Sequence, residues 1–192
     1  MKDSILRKVA ETAELATSFF AVCAPELETT ARALAERFAR GGRLYVMGNG
    51  GSACDAMHVA VEFSHPIIEK RRALPAGSLV ADTALITALA NDGDFANVFA
   101  AQLSAITAND AVLGISTSGT AANVIRGIRR ARELGALTIA FTGRDGGPLA
   151  DSCEHAFVVP SWSIHRIQEV HTMLLHLLWY HTHVALGEPD VL

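Results

Sequence analysis

Five short apolar runs, each too short for a helix and each without polar alternation, constrain the fold of this chain more than any other feature. They are Arg43 to Met47, Ser78 to Ala81, Ala111 to Ile115, Ala136 to Phe141 and His155 to Val159. Continuous apolar runs of this length are what strands buried on both faces of a parallel sheet require. Between them the apolar spacing changes to three-to-four, predicting helices over Ala53 to Phe63, Thr83 to Ala90, Phe95 to Ala105, Ala121 to Leu134 and Ile164 to Ala185. Strand alternating with helix predicts a three-layer, doubly wound α/β domain with a parallel sheet. Two further helices are expected in front of it. Ile5, Val9, Ala13, Leu15 and Phe19 recur on one face over about residues 3 to 22, and Pro25 sits where a second helix starts, with Gly41-Gly42 stopping it. No linker or repeat divides the chain, so a single domain spanning 1–192 is expected.

Composition narrows the function classes. The 192 residues are 50% hydrophobic and only 19% charged, so some apolar helix surface is expected to be covered by other subunits. A net charge of -4 gives no long-range attraction to nucleic acid. The one basic cluster, Lys70-Arg71-Arg72, reads as a solvated loop. Cys23, Cys54 and Cys153 are odd in number and share no metal-like spacing, which argues for a reducing cytoplasm. The start of the chain has no signal-peptide pattern, and no stretch is expected to span a bilayer.

Two loops and two helices carry the chemistry. Gly48-Asn49-Gly50-Gly51-Ser52 follows the first strand and opens a helix, where backbone N–H groups and the helix field favour an anion and Ser52 can cap. It has neither the third glycine of a dinucleotide fingerprint nor the Lys-Ser/Thr pair of a P-loop. Ser116-Thr117-Ser118-Gly119-Thr120, again between a strand and a helix, offers four hydroxyls in five residues, a phosphate-binding pattern. His58 and Glu62 are spaced i,i+4, and Gln168 and His176 i,i+8, so each pair projects from one side of its helix. Imidazole and carboxylate groups suit a divalent ion such as zinc and can also move protons.

These segments, together with Asp55-Ala56-Met57-His58, Asn91-Asp92, Thr142-Gly143-Arg144-Asp145-Gly146-Gly147 and Arg166-Ile167-Gln168-Glu169, resemble the sugar isomerase (SIS) domain family, and within it the phosphoheptose isomerases. The resemblance runs from the N-terminal helices to the last helix. It implies a flavodoxin-like fold and a cytoplasmic homotetramer with active sites between subunits. It also implies zinc, or another divalent metal, held by His58, Glu62, Gln168 and His176. Glu62 and His176 then take the two proton-transfer roles. Ser116, Thr117, Ser118 and Thr120 form the phosphate cradle, and Asn49, Gly50, Gly51, Ser52, Asn91, Asp92 and Gln168 face the substrate. The implied reaction converts sedoheptulose 7-phosphate to D-glycero-D-manno-heptose 7-phosphate through an enediol. The alternative is a non-catalytic module that binds a sugar phosphate or a DnaA-type partner protein. An initiator-binding relative of this kind lacks the carboxylate and the final histidine that this chain keeps.

The chain departs from the family pattern where substrate contacts are expected. Phe63-Ser64-His65-Pro66 stands where Leu-Thr-Gly-Arg is usual, so the family's basic group is absent unless Lys70, Arg71 or Arg72 replaces it. His165 replaces an aspartate, and Thr120-Ala121 replaces Asn-Ser, removing the hydroxyl at position 121. The metal and proton-transfer positions are untouched. His155 is read as a residue without a role in the chemistry, and His181 and His183 are expected to be solvated or at a subunit contact. His171, between Gln168 and His176 in sequence, either sits beside the ion or packs behind its ligands.

Overall fold

A computed structural model describes residues 1–67 and 71–191. Five parallel strands form one sheet: β1 (Leu44–Gly48), β2 (Ala76–Ser78), β3 (Ala111–Ser116), β4 (Leu137–Gly143) and β5 (His155–Val159), in the order β2-β1-β3-β4-β5. Pairing puts Leu44 opposite both Ala76 and Ala111, Ala111 opposite Leu137, and Ile139 opposite His155. Although the runs are uniformly apolar, successive residues still point to opposite faces. Leu44, Val46, Leu113, Ile115, Ile139 and Phe141 enter one core. Met47, Val112 and Ala140 enter the other.

The first core is covered by α1 (Lys2–Ala39), α2 (Gly51–Ser64) and α6 (Ile164–Ala185), and the second chiefly by α4 (Ala122–Glu133). The remaining helices are α3 (Thr83–Asp92) and the short α5 (Gly147–Asp151). Among the described residues no helix is long and apolar enough to cross a membrane.

Three expectations are corrected. The two N-terminal helices are one: α1 runs unbroken for 38 residues through Pro25. Pro25 has no N–H for the carbonyl of Ala21, but both residues are exposed, so that carbonyl faces water. Meanwhile Ala16, Phe19, Leu27, Ala31 and Leu34 stay buried along one side, and that continuous apolar stripe outweighs the helix break. The segment expected as a helix over Phe95 to Ala105 is instead two 3-10 turns, Phe95–Asn97 and Ala100–Leu103. Asp94 starts the first by accepting from the Ala96 N–H, and Val98, Phe99, Leu103 and Ile106 fill the core beneath α4. Lastly, β2 ends at Ser78 rather than Ala81, because the chain turns with Ala81 N–H donating to Ser78 O.

This strand order reverses direction between β1 and β3. The carboxyl ends of those two strands are therefore the crevice where open α/β sheets bind ligands. The two small-residue loops stand there side by side.

Candidate active site

Helix α2 opens directly from the first loop. Gly50, with φ 57, is its N-cap and brings no side chain to the task. Ser52, expected as the cap, is instead buried in the first turn, with its N–H donating to Asn49 O at 3.0 Å. The loop is braced from the side: Asn49 Nδ2 donates to Asn123 Oδ1 at 2.8 Å, and Asn123 Nδ2 returns a bond to Asn49 Oδ1 at 2.9 Å. Asn123 belongs to the first turn of α4, so this amide pair ties the β1 loop to the helix after the hydroxyl loop.

Further along α2 the i,i+4 spacing has its predicted effect. His58 Nε2 lies 3.3 Å from Glu62 Oε1. Helix α6 packs against α2 and brings the His176 ring edge-on to the His58 ring, centroids 4.9 Å apart. One ligand atom from each of His58, Glu62 and His176 lies within 4.8 Å of the others. A tetrahedral ion with bonds near 2.0–2.1 Å spaces its donors by about 3.4 Å, so small side-chain shifts suffice, and two imidazoles with one carboxylate form a fitting donor set. Glu62 is only 13% exposed in its side chain and His58 36%, so the cluster is sheltered but reachable.

Gln168 approaches the same helix at its other end. A Cβ on Gly51 would stand 2.1 Å from Gln168 Nε2, so the absence of a side chain at 51 is what lets this amide lie against the helix start. Gly51 and His58 are separated by about 10 Å of axial rise. Gln168 thus marks the loop end of the site, with His176 at the His58 end.

The hydroxyl loop is organised internally. Ser118 Oγ is 2.9 Å from Thr120 Oγ1 and 3.5 Å from Ser116 Oγ, and the Thr120 N–H donates to Ser118 Oγ at 3.3 Å. Gly119 has φ 67, and a Cβ there would meet Gly146 O at 1.9 Å, so the β4–α5 loop backs the turn and shapes it. Ser116 is buried, Thr117 and Ser118 half-buried, and Thr120 exposed, which grades the hydroxyls from the sheet outward. Ala121, the N-cap of α4, makes no side-chain cap bond.

The other singled-out residues fall elsewhere. Asn91 and Asp92 close α3, both exposed, with Asn91 Nδ2 donating to Asp92 Oδ1 at 2.9 Å. His171 is fully buried, with Nε2 3.0 Å from Thr142 O and its ring against Phe141; burial pushes its pKa down to about 4, which makes it a neutral core residue. His183, expected at the surface, is also fully buried, 3.1 Å from Glu188. His155 pairs with Glu26 at 2.7 Å, and His181 is half-buried beside the Tyr180 ring. His165 is exposed.

Lys70 lies outside the described residues, and the solvated-loop expectation fails for Arg71. Its guanidinium stacks on Tyr180 at 4.3 Å and on Trp179 at 5.0 Å, and donates to the carbonyls of Tyr180 and Pro189 at 3.3 and 3.4 Å. Two aromatic faces and a carboxylate from the C-terminal tail, Glu188 at 3.8 Å, hold it out of water. Arg71 is therefore not a free basic group for substrate. Phe63 is fully buried against Phe38, at 5.7 Å between rings, and so belongs to the core.

One residue that sequence reasoning passed over stands out. Asp55, one turn before His58 on α2, has a buried Oδ2 with no hydrogen-bond partner, and burial raises its carboxyl pKa to about 6. Its i,i+3 spacing to His58 was the available signal.

Known proteins resemble this chain in sequence and fold. The SIS domain family matches residues 9–143. The phosphoheptose isomerase of Aquifex aeolicus is 41% identical over 179 residues, which are 93% of this chain and 94% of that protein. The solved phosphoheptose isomerase of Neisseria gonorrhoeae superposes with a TM-score of 0.86 at 34% identity, covering 93% of this chain and 96% of the other. That of Francisella tularensis gives 0.89 at 30% identity, covering 94% and 96%.

Proposed function

This chain belongs to the phosphoheptose isomerase family of SIS-domain proteins and is a sugar-phosphate isomerase, and we propose that it interconverts sedoheptulose 7-phosphate and D-glycero-D-manno-heptose 7-phosphate through an enediol. The observation that carries the proposal is the convergence of His58, Glu62 and His176 from two helices onto one point.

Each residue has a task its chemistry suits. The Glu62 carboxylate takes the proton from the carbon beside the carbonyl and returns it to the neighbouring carbon. The His176 imidazole moves a proton between the two oxygens, so the enediol forms and collapses without net charge change. Oε1 of Glu62 faces His58, which leaves Oε2 as the base oxygen. Ser116, Thr117, Ser118 and Thr120 donate to the phosphate, while Asn49, Gly50, Gly51, Ser52, Asn91, Asp92 and Gln168 surround the sugar. A divalent ion such as zinc, held by His58, Glu62 and His176 and completed by Gln168 once its amide swings from Gly51 toward that cluster, would supply a Lewis acid for the substrate carbonyl.

We further propose a cytoplasmic homotetramer with sites completed between subunits. Helix α1 leaves Ile5, Leu6 and Val9 57%, 58% and 62% exposed, beside a groove of about 780 Å³ that Val9, Ala13, Phe20 and Met173 line. Helix α3, which ends in Asn91 and Asp92, buries none of its residues within the protomer. Patches of this kind are what a second copy covers. The three cysteines are unpaired, in keeping with a reducing compartment.

The test is incubation of the zinc-supplemented protein with C5, C6 and C7 ketose phosphates in deuterated water. Deuterium uptake and aldose formation with the C7 sugar, both lost in Glu62→Gln, are expected. Absence of uptake and of aldose across the panel overturns the catalytic reading.

A further inference from the structure

The buried, partnerless oxygen of Asp55 has no task in the chemistry above. A carboxylate oxygen shielded from water without a hydrogen bond is costly, and such groups in folded proteins usually have a partner or a function. Asp55 precedes His58 by three residues, so the two Cβ atoms are about 5–6 Å apart on one face of α2. Helical side chains lean back toward the N-terminus, which carries the His58 ring over the turn that holds Asp55. The His58 nitrogen turned to Glu62 is Nε2, at 3.3 Å, leaving Nδ1 as the nitrogen outside the cluster.

We propose that Asp55 is the positioning residue for His58: its carboxylate accepts the Nδ1–H, which fixes the tautomer in which Nε2 presents a lone pair to the cluster of Glu62 and His176. The inference rests on the assignment of His58 as a metal ligand. A carboxylate behind a ligating imidazole sets ring orientation and raises basicity, and its loss commonly weakens metal affinity about 10–100-fold. An asparagine at 55 could equally donate to an unprotonated Nδ1, so the amide should abolish the tautomer preference.

Two measurements on the full-length protein test this. Nitrogen-15 NMR of histidine-labelled, metal-free protein reads the His58 tautomer, and competition with a chromophoric chelator reads zinc affinity. The parent should show Nδ1–H, whereas Asp55→Asn should show a mixed or reversed tautomer and bind zinc about 10–100-fold more weakly, with an unchanged circular-dichroism spectrum. Asp55→Ser, which leaves room for water, repeats both measurements should the amide disturb the helix. Parent-like tautomer and zinc affinity in both variants overturn the proposal while leaving the metal assignment standing. A parent protein that takes up no zinc overturns the metal assignment, and this proposal with it.

Discussion

Asn49 and Asn123 exchange two amide hydrogen bonds, of 2.8 and 2.9 Å, across 74 residues of sequence, and so join the glycine loop to the helix that follows the hydroxyl loop. The pair is asymmetric in its surroundings: Asn49 is exposed, whereas Asn123 is buried. Asn49→Ala strands a buried amide and should cost about 1–3 kcal/mol. Asn123→Ala leaves an amide that water can reach, and should cost about 1 kcal/mol. Both should raise KM for the sugar phosphate, because the two loops lose their common brace. Urea unfolding and initial-rate kinetics of the two variants check the order of the costs.

Gly51 gives a cleaner separation of stability from activity. An alanine there places its Cβ 2.1 Å from Gln168 Nε2, the far end of a flexible side chain that can swing aside. Alanine suits a helix start better than glycine, so Gly51→Ala should change stability by less than about 1 kcal/mol. The displaced Gln168 should nevertheless lower kcat/KM at least about tenfold. Thermal unfolding alongside steady-state kinetics reads both, and a parent-like rate would remove Gln168 from the site.

The parts that were legible in the sequence are those written in local periodicity. Apolar runs of strand length placed the sheet, and i,i+4 spacing placed His58 beside Glu62. Pro25 misled because a proline often starts a helix, and only burial of Phe19 and Leu27 along a shared stripe keeps α1 continuous through it. The segment 95–105 misled because its buried residues keep an approximate helical spacing while Asp94 and Gln102 satisfy backbone groups of tighter turns. Partners distant in sequence, such as Asn123 for Asn49 or Gly51 for Gln168, follow from helix packing that no single segment encodes. Arg71 looked like one member of a solvated charge run until two rings of α6 and the chain end enclosed it.

That enclosure makes Arg71 a test of the departed substrate motif. Its side chain is 4% exposed and faces Glu188, Tyr180 and Trp179. Arg71→Ala should destabilise the fold by about 2–3 kcal/mol through lost stacking and a largely buried Glu188 carboxylate left with only His183 and the more distant Arg72. Arg71→Lys should recover only part of that, since an ammonium cannot reproduce the planar stack. KM for the sugar phosphate should stay within about twofold in Arg71→Lys. A large rise in KM with unchanged stability would instead return Arg71 to substrate binding.

His171 sets a pH dependence of stability. Its folded pKa of about 4 lies below the ordinary histidine value of 6.5, so the unfolded chain binds the extra proton first. The stability linked to this group is fully present above about pH 6.5 and is lost progressively as the pH falls toward 4. Asp55, raised to about 6, acts in the opposite direction at the acid end, so variant and parent must be compared at each pH. His171→Gln keeps a donor for Thr142 O and should flatten the difference between pH 6.5 and 4. Denaturant midpoints at half-unit pH steps measure it, and an unchanged slope would contradict a neutral buried imidazole.

Metal binding and assembly are separable in this protein by a substitution on α1. His58, Glu62 and His176 gather within one protomer, on helices that pack through the protomer's own core, whereas α1 exposes apolar side chains at the protomer surface. A charge at an exposed position of α1 costs the protomer little but opposes burial against another copy, where an unpaired charge would be desolvated. Val9→Glu, at a residue 62% exposed, should therefore yield a smaller species by light scattering with its protomer fold intact. That species should still take up zinc after chelator treatment, because most of the ligand set is already in place within it. Its isomerase activity should be lost, since the exposed α3 end bearing Asn91 and Asp92 would no longer meet a second subunit. The assembled parent should lose activity with chelator and regain it with zinc. Full activity in the dissociated variant would show that each protomer holds a complete site, and failure of the dissociated variant to bind zinc would show that the ligand cluster itself depends on the neighbour.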